Sequence, residues 1–369
     1  MNNRVCIVTT VHHPFDVRIF HKQARSLAKA GYEVLLIAPH DREEVVESVR
    51  LRPLGRPRNR AHRMKVMLVR ALRLALAERA DVYHFHDPEL IPIGLILKTL
   101  ISTQVIYDIH EDYPRQILSK AWIPAILRRP LAWGIKLLEH LAAKVLNGLV
   151  AATPGIARRF PPSKTVIVRN FPRVEELIAN REEVIPYHER PNWAVYVGGI
   201  TTIRAAKEMV KAVTLVQTPA ELVLAGSFES QILQNEILAL PGWSQVRFLG
   251  WLSRSEVAEV LAKAKVGLVL YHPLPNHIEA QPNKIFEYMA AGIPFVASDF
   301  PLWRELGEGA GLFVDPLDPP SIAQAIEWLF AHPKEAEAMG QRGRELVLKK
   351  YNWDAEAQKL LTLYERLLS

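Results

Sequence analysis

Short apolar runs rich in β-branched residues alternate with longer amphipathic stretches along most of the chain. Runs such as residues 5–10 and Glu33–Ala38 are too short for helices and are typical of buried parallel strands. Between them, residues 19–30 place apolar side chains at helical spacing and end at Gly31. This alternation predicts an α/β fold with parallel sheets.

The strand–helix pattern starts afresh in the second half of the chain. Residues 173–191 are a charged mixture with little apolar periodicity, and Trp193–Val197 then begins a new series of strands. We therefore predict two Rossmann-like domains, residues 1–172 and 192–350, joined by a linker at residues 173–191. The first βαβ unit lacks the G-x-G-x-x-G fingerprint, which argues against a dinucleotide-dependent oxidoreductase.

One strand–loop–helix junction in the second half has clear helix start and stop signals. Residues 266–270 form an apolar, β-branched run that predicts a buried strand, and a polar loop follows it. Pro282 and Asn283 predict the start of a helix, because proline is tolerated in a first turn and asparagine caps well. Gly292 and Pro294 predict its end.

Charged residues cluster around the start of this predicted helix. The N-terminus of a helix carries roughly half a positive charge and suits a phosphate, and Lys284 adds a full charge. Glu279 and Glu287 flank the helix start and can accept hydrogen bonds from sugar hydroxyls. The layout fits a diphosphate flanked by sugars, as in a nucleotide-sugar.

Composition narrows the class of protein. The 369 residues are 49% hydrophobic and 23% charged, as expected for a globular protein of two or three domains. The single cysteine, Cys6, lies in an apolar strand and fits a reducing, cytoplasmic setting. We expect neither a signal peptide nor a membrane span, because the N-terminus runs straight into a strand and no apolar run is long enough.

The net charge of +7 favours an anionic partner. Basic residues concentrate in residues 56–79 and 114–147, which are amphipathic, and the second segment also contains Trp122 and Trp133. We expect both segments mainly to pack on the sheet, with peripheral contact to an anionic membrane surface on the inner face as a second role. No nucleic-acid-binding signature accompanies the charge, so we expect no nucleic-acid partner.

The junction, with its two glutamates and the following Gly292-Ile293-Pro294, resembles the donor site of retaining GT-B glycosyltransferases. The most similar pattern is that of glycosyltransferase family 4, the "glycosyl transferases group 1" enzymes. The resemblance implies two Rossmann-like domains facing across a cleft, with the donor in the second and the acceptor in the first. It also implies that residues 351–369 form a helix crossing back to the first domain.

The resemblance assigns the donor site to strand ends and to the helix start in the second domain. This family commonly has a Gly-Arg pair after the first strand, and here Gly199 stands in place of the arginine. The implied donor-binding residues are Gly198, Gly199, Gly226, Leu249, Gln281, Pro282, Asn283, Ile285 and Glu287.

The resemblance also implies four catalytic roles. Arg204 corresponds to the lysine that neutralises the leaving diphosphate, and Lys284 is the candidate substitute for the missing arginine. Glu279 would hold hydroxyls of the transferred sugar. His110 matches a histidine that reaches that sugar from the acceptor side. Retention of anomeric configuration is implied, with front-face attack and double displacement both open.

The acceptor residues implied are Asp16, Arg18 and His86, near the ends of strands in the first domain. The alternative for Arg18 is a local ion pair in a solvated loop. The form of the loops resembles enzymes that build surface polysaccharides, which favours a glycan or lipid-linked acceptor. His84 and His86 share one strand face, where a metal site or a purely structural role both fit.

The chain contains no D-x-D motif, so we expect no metal and no cofactor besides the nucleotide-sugar substrate. Two rival functions share the architecture. One is a nucleotide-sugar 2-epimerase, which needs no acceptor. The other is a catalytically inactive binding partner, which the absence of an arginine at Gly199 favours and the presence of Glu279, Glu287 and Lys284 disfavours.

Overall fold

The computed structural model describes residues 3–101, 103–120, 123–173 and 185–369. Trp122 and most of the predicted linker, residues 174–184, lie outside the described residues. The chain divides into two compact units. The N-terminal unit comprises Met1–Asn170 and Asp354–Ser369, and the C-terminal unit comprises Phe171–Trp353.

The strands described in the N-terminal unit form one sheet in the order β3-β4-β2-β1-β5-β6-β7-β8, parallel except for the β3–β4 pair. Parallel strands are joined by helical crossovers, so their carboxyl ends meet at one edge of the sheet. The strands are β1 Arg4–Val8, β2 Glu33–Ala38, β3 Glu44–Val46, β4 Val49–Pro53, β5 Val82–Phe85, β6 Gln104–Ile109, β7 Gly148–Ala151 and β8 Thr165–Ile167.

Helices cover this sheet, and the first begins with a π-helical segment, Val17–Ala24. A second π-helical segment, Arg63–Met67, lies between α2 and α3, and a 3₁₀ turn, Pro88–Leu90, precedes α4. The helices are α1 Arg25–Lys29, α2 Arg60–His62, α3 Leu68–Glu78, α4 Ile91–Ile101, α5 Tyr113–Ser119, α6 Ala125–Val145 and α7 Pro154–Ala157.

The strands described in the C-terminal unit form a fully parallel sheet in the order β11-β10-β9-β12-β13-β14. They are β9 Trp193–Val197, β10 Glu221–Ala225, β11 Val246–Gly250, β12 Val266–Val269, β13 Phe295–Ser298 and β14 Gly311–Val314. The 3₁₀ turns are Tyr187–Glu189, Thr202–Arg204 and Pro241–Gln245. The helices are α8 Ala206–Val213, α9 Gln231–Leu238, α10 Arg254–Lys263, α11 Pro275–Ile278, α12 Asn283–Ala291, α13 Pro301–Leu306, α14 Pro319–Ala331 and α15 Pro333–Lys349.

The last helix, α16 Trp353–Leu368, places most of its residues in the N-terminal unit. There the hydroxyl of Tyr364 lies 2.8 Å from Nδ1 of His84 on β5, in the fully buried core. Cys6 is also fully buried, and burial raises its thiol pKa to about 12, as expected for a core residue rather than a reactive thiol.

The α/β prediction with parallel sheets is confirmed in both units. Two details differ from it. Strands β3 and β4 were not predicted, because alternating charges in Val49–Pro53 hide two core positions, Val49 and Leu51. Helix α12 begins at Asn283 as predicted, but Pro282 is the N-cap and provides no side-chain cap.

Candidate functional site

Three glycines bring the ends of neighbouring strands close together in the C-terminal unit. Gly198, Gly226 and Gly250 follow or end β9, β10 and β11 and have φ values of 138°, 138° and 67°. The N–H of Gly198 donates to Ala225 O at 2.7 Å, and that of Gly226 donates to Gly250 O at 2.6 Å. A Cβ on Gly226 would lie 1.9 Å from Gly198 O, so this backbone approach requires glycine.

Lys284, in the first turn of α12, lies against these strand ends. Its Nζ is 5.5 Å from the ring centroid of Tyr196, and a Cβ on Gly198 would meet Nζ at 2.6 Å. Burial lowers the pKa of the Lys284 ammonium; Arg204 acts in the same direction and Glu287 opposes it. A cation is thus held in a partly desolvated position beside the glycine backbone, where an anion would be strongly attracted.

Arg204 occupies the space beside Gly199. Its Nη1 donates to Gly199 O at 3.3 Å, and the hydroxyl of Tyr196 donates to the same oxygen at 2.7 Å. The guanidinium also lies over the ring of Tyr271, 5.4 Å from the centroid. A Cβ on Gly199 would be 3.1 Å from Arg204 Nη1, so the missing side chain at Gly199 leaves room for this arginine.

The start of α12 has no side-chain cap, so its first N–H groups remain available to a ligand. Ile285 is fully buried, which leaves only its backbone to contact a ligand. Glu287 lies one turn into the helix and is half-buried, whereas Glu279 in the preceding loop is exposed. The indole N–H of Trp303 donates to Ala280 O at 2.8 Å and holds this loop.

The remaining predicted donor residues also lie in the C-terminal unit. Leu249 on β11 and Gln281 before α12 are half-buried, Pro282 is buried and Asn283 is exposed. Sequence reasoning missed the aromatic residues Tyr196, Tyr271 and Trp303, which support the two cations and the loop. Each lies in or beside a strand or helix core, where an aromatic residue carries no signal that distinguishes it from ordinary packing.

Asp108 is the centre of the polar cluster in the N-terminal unit. Arg18 Nε and Nη2 donate to its two oxygens at 3.1 and 2.9 Å, and Gln23 Nε2 donates at 2.7 Å. Burial alone would raise the pKa of Asp108, but Arg18 and then His110, His86 and His84 hold it well below its usual value. Asp108 is therefore a buried carboxylate with a matched counter-ion.

His84 and His86 stack against each other beside Asp108, with ring centroids 4.8 Å apart. Both are fully buried; burial lowers the pKa of His84 to about 4 and that of His86 well below its usual value. Among the described residues, His84, His86 and Asp108 are the one group of three possible metal ligands, within 4.8 Å of one another. Arg18 already neutralises Asp108, so a dication there would bring uncompensated positive charge into a buried space.

Two residues predicted to bind the acceptor lie inside this buried cluster. Arg18 is 5% exposed and pairs with Asp108, 90 positions away, rather than within its own loop. His86 is 0% exposed. Their burial leaves little surface for a ligand, and their role as acceptor contacts stays a prediction. Asp16 stays partly exposed, with Oδ1 accepting from the N–H of Ile19 at 2.9 Å at the helix start.

His110 follows β6 and remains partly exposed, with a side-chain exposure of 13%. Its Nδ1 is 3.6 Å from Asp108 Oδ1, and its Nε2 is 3.4 Å from the hydroxyl of Tyr113. The ring of His12 meets the ring of His110 edge-on at 4.9 Å. Asp87 and Asp108 were not predicted as site residues.

Known families match both halves of the chain. "Glycosyl transferase 4-like domain" matches residues 17–170, and "Glycosyl transferases group 1" matches residues 191–332. The chain is 23% identical over 329 residues to the MMP α-(1→4)-mannosyltransferase of Mycolicibacterium hassiacum, which covers 83% of this chain and 75% of that one.

Solved structures share the fold over nearly the whole chain. Sucrose-phosphate synthase from Thermosynechococcus elongatus superposes with a TM-score of 0.77 at 18% identity, covering 99% of each chain. Anabaena HepE, solved in complex with UDP-glucose, gives 0.74 at 12% identity, covering 98% of this chain and 99% of that one. At these identities the likeness shows the fold.

The two family matches, together with the shared fold, show that the chain is a GT-B glycosyltransferase. Within that class, the chain belongs to the group 1 glycosyltransferases, with a family 4-like N-terminal domain.

Proposed function

We propose that this enzyme transfers a sugar from a nucleotide-diphospho-sugar to a glycan or lipid-linked acceptor, with retention and without a metal ion. The observation that carries the proposal is the convergence of Lys284 and Arg204 on Tyr196, beside Gly198 and Gly199. Two cationic side chains therefore lie beside a stretch of backbone, Gly198 and Gly199, that has no side chains of its own. That arrangement suits a doubly charged diphosphate better than any neutral ligand.

The leaving diphosphate sets the main electrostatic requirement of the reaction. Its negative charge grows as the bond to the sugar breaks, so fixed positive groups stabilise the transition state more than the ground state. Lys284, Arg204 and the uncapped N-terminus of α12 supply such groups. Because these charges can do the work of a divalent cation, we propose that the enzyme needs none.

The two glutamates serve the hydroxyl groups of the donor in this proposal. Glu287, one turn into α12, accepts hydrogen bonds from the ribose, and the exposed Glu279 accepts them from the transferred sugar. His110 in the N-terminal unit contacts the transferred sugar, and Asp16 contacts the acceptor. The transferred sugar becomes oxocarbenium-like, which nearby carboxylates also stabilise.

The presence of Gly199 in place of the family arginine does not favour the alternative of a catalytically inactive binding partner. Arg204 fills the space next to Gly199, so a cation is still present at this turn. The number of cations near the strand ends is therefore preserved by Arg204 and Lys284 together, and we assign them jointly to the diphosphate.

A panel of nucleotides in a thermal-shift assay tests the proposal. UDP-glucose is the first candidate, because Anabaena HepE has been solved with it, followed by GDP- and ADP-sugars and the free diphosphates. A ligand at about 100 times its dissociation constant raises the unfolding free energy by ~2.7 kcal/mol. We expect one nucleotide class to raise the melting temperature equally with and without EDTA, and Lys284→Ala to lose most of that shift.

Two further outcomes decide between the rivals. Release of the nucleotide diphosphate only when an acceptor is added supports transfer, whereas interconversion of the donor sugar without an acceptor would indicate the 2-epimerase. If no nucleotide shifts the melting temperature of the folded protein, the proposed donor site is wrong.

We also propose a membrane-bound acceptor, on the strength of one helix surface. Trp133, Leu137 and Leu141 follow at four-residue spacing on α6 and are 67%, 44% and 49% exposed. Arg129 and Lys136 are exposed on the same helix. An apolar stripe flanked by cations suits the surface of an anionic bilayer. Among the described residues, no helix has the length and apolarity needed to cross one.

A further inference from the structure

His12, in the loop after β1, lies between two carboxylates. Its Nδ1 is 3.6 Å from Asp16 Oδ2, and its Nε2 is 3.4 Å from Asp87 Oδ1. The other oxygen of Asp16 accepts hydrogen bonds from the N–H groups of Arg18 and Ile19 at 2.8 and 2.9 Å. The oxygen that faces His12 is therefore fixed by the start of the following helix.

Asp87 is fixed just as firmly on the other side of the ring. It is 1% exposed, and its Oδ2 accepts from the hydroxyl of Thr9 at 2.9 Å and from the N–H of Thr10 at 2.6 Å. Its Oδ1 is left to face His12. The N–H of His12 itself donates to Thr9 Oγ1 at 3.1 Å, which ties the loop to the same strand end.

Both ring nitrogens of His12 thus face carboxylate oxygens. Both contacts are attractive only when both nitrogens carry a proton, so the geometry favours the imidazolium. Although burial lowers the pKa of His12, Asp16, Asp87 and Glu111 outweigh burial and raise it above its usual value. The charged and titratable groups that face this ring are Asp16, Asp87, Glu111 and His110.

The ring of His110 packs edge-on against the ring of His12. Its contacts with Asp108 at 3.6 Å and Tyr113 at 3.4 Å are as long as those of His12, but Tyr113 is neutral and Asp108 is already paired with Arg18, so the charges around His110 hold its ring less firmly than two carboxylates hold His12. The edge-on contact with His12, with centroids 4.9 Å apart and planes at 67°, comes from a ring held on both sides. A shift of His12 therefore removes the shortest ring contact of His110, since the rings of His86 and Tyr113 lie 6.2 and 6.1 Å from it.

We propose that His12 is a positioning residue for glycosyl transfer: clamped as an imidazolium by Asp16 and Asp87, it holds the ring of His110 in its working orientation. The inference rests on the proposed function, in which His110 contacts the transferred sugar. When His12 loses its proton, its attraction to Asp16 and Asp87 weakens. His12 therefore orients the ring of His110 only below the pH at which His12 titrates.

The first test follows the histidine rings directly and needs no substrate. Ring ¹⁵N signals of histidine-labelled full-length protein are recorded through the neutral and mildly alkaline range, with His110→Gln used to assign His110. We expect the His110 signals to change at the pH where His12 titrates, and this inflection to be absent in His12→Gln. His13→Gln, the exposed neighbouring histidine, is the matched control and should retain it.

The second test follows turnover. With the nucleotide-sugar selected by the melting panel, we expect kcat for release of the nucleotide diphosphate to fall as pH rises through the His12 titration. His12→Gln should lower kcat by about tenfold, ~1.4 kcal/mol in activation free energy. It should also remove the fall of kcat at alkaline pH, which we call the alkaline limb of the pH profile. The KM for the donor should change much less than kcat, because the residues assigned to the diphosphate and the ribose lie in the C-terminal unit.

A second variant separates charge from packing. His12→Phe keeps an aromatic ring but cannot be clamped, and it should behave as His12→Gln does in both tests, at a temperature at which both variants remain folded. If the His110 signals ignore the His12 titration, or if either variant keeps the alkaline limb, the positioning role is wrong. If no nucleotide-sugar binds, the proposed function fails, while the ring signals still decide whether His12 holds His110.

Discussion

Gly198 and Lys284 occupy adjoining space, since a Cβ on Gly198 would lie 2.6 Å from Lys284 Nζ and 2.8 Å from its Cε. Gly198→Ala must therefore push the lysine away from the strand ends. Loss of a hydrogen bond to a charged group costs about 1.5–3 kcal/mol. We expect the nucleotide diphosphate to bind at least about tenfold more weakly, measured by isothermal titration.

Backbone strain needs its own control, because Gly198 has a φ of 138°. Gly31→Ala supplies it: Gly31 has a φ of 93°, and nothing lies within 4 Å of the added Cβ. This variant should lose stability by roughly 1–2 kcal/mol and keep its affinity. Unchanged affinity in Gly198→Ala would show that Lys284 does not reach the diphosphate.

Restoring the family arginine at Gly199 should weaken the enzyme. A Cβ at this position comes within 3.1 Å of Arg204 Nη1, and the longer side chain would compete for the same space over Tyr271. We expect Gly199→Arg to raise the donor KM and lower kcat. Gly199→Arg combined with Arg204→Ala should recover part of the loss, because the site then again holds two cations.

Steady-state kinetics of the two variants, with Arg204→Ala alone as reference, give the donor KM and the kcat that test this prediction. If the single Gly199→Arg variant binds donor more tightly than the unmodified enzyme, Arg204 does not occupy the diphosphate position. The expectation that Gly199 leaves a cation missing would then stand.

The parts of the molecule predicted well from sequence depend on short-range signals. Helix α12 was placed because proline, glycine and an apolar stripe all lie within its own residues, and Trp193–Val197 because its apolar run is unbroken. The buried state of Arg18 and His86 depends on partners far along the chain. Arg18 meets Asp108 across 90 positions, and a loop arginine in sequence gives no hint of that pairing.

Removal of Arg18 should be costly to the N-terminal unit. Arg18→Leu leaves Asp108 buried without its counter-ion, and breaking a buried pair in this way costs about 3–5 kcal/mol. Arg56→Leu is the matched control, because Arg56 pairs with Asp41 at 2.7 Å in an exposed position. That variant should change stability by no more than about 1 kcal/mol.

Urea unfolding followed by a probe in the N-terminal unit measures both variants. The double variant Arg18→Leu/Asp108→Leu should be more stable than Arg18→Leu alone, since no unpaired charge remains. Equal destabilisation by Arg18→Leu and Arg56→Leu would contradict the buried pairing.

The buried histidines predict how stability depends on pH. His84 has a folded-state pKa of about 4, below the ordinary value of 6.5, so its contribution is complete above 6.5 and is lost as pH falls towards 4. His86 shifts in the same direction. Protonation of His84 in the unfolded state lowers the unfolding free energy by ~1.4 kcal/mol per pH unit in this window. Asp108 is ionised throughout it in the folded protein.

Urea titrations at a series of pH values test this dependence. His84→Gln should show a shallower loss of stability below pH 6.5, whereas the exposed His13→Gln should follow the unmodified protein. An unchanged slope in His84→Gln would mean that His84 is already protonated in the folded state.

The apolar stripe on α6 predicts binding to anionic vesicles. Full-length protein should co-sediment with phosphatidylglycerol-containing vesicles at low salt, less at high salt, and little with phosphatidylcholine alone, because screening weakens each cation's contribution of ~1 kcal/mol. Trp133→Ser with Leu137→Ser should lower the bound fraction by removing the apolar anchor. Ile232→Ser is the control: Ile232 is 73% exposed on α9 in the C-terminal unit.

Charge and apolar contact can be separated on the same helix. Arg129→Gln with Lys136→Gln should weaken binding mainly at low salt, whereas the serine variants should weaken it at every salt concentration. Transfer to a water-soluble acceptor should be unaffected in both, because the donor residues are unchanged. If the unmodified protein ignores anionic vesicles at low salt, or if Ile232→Ser lowers binding as much as the α6 variants do, α6 is not a membrane surface. The acceptor would then be sought among soluble glycans.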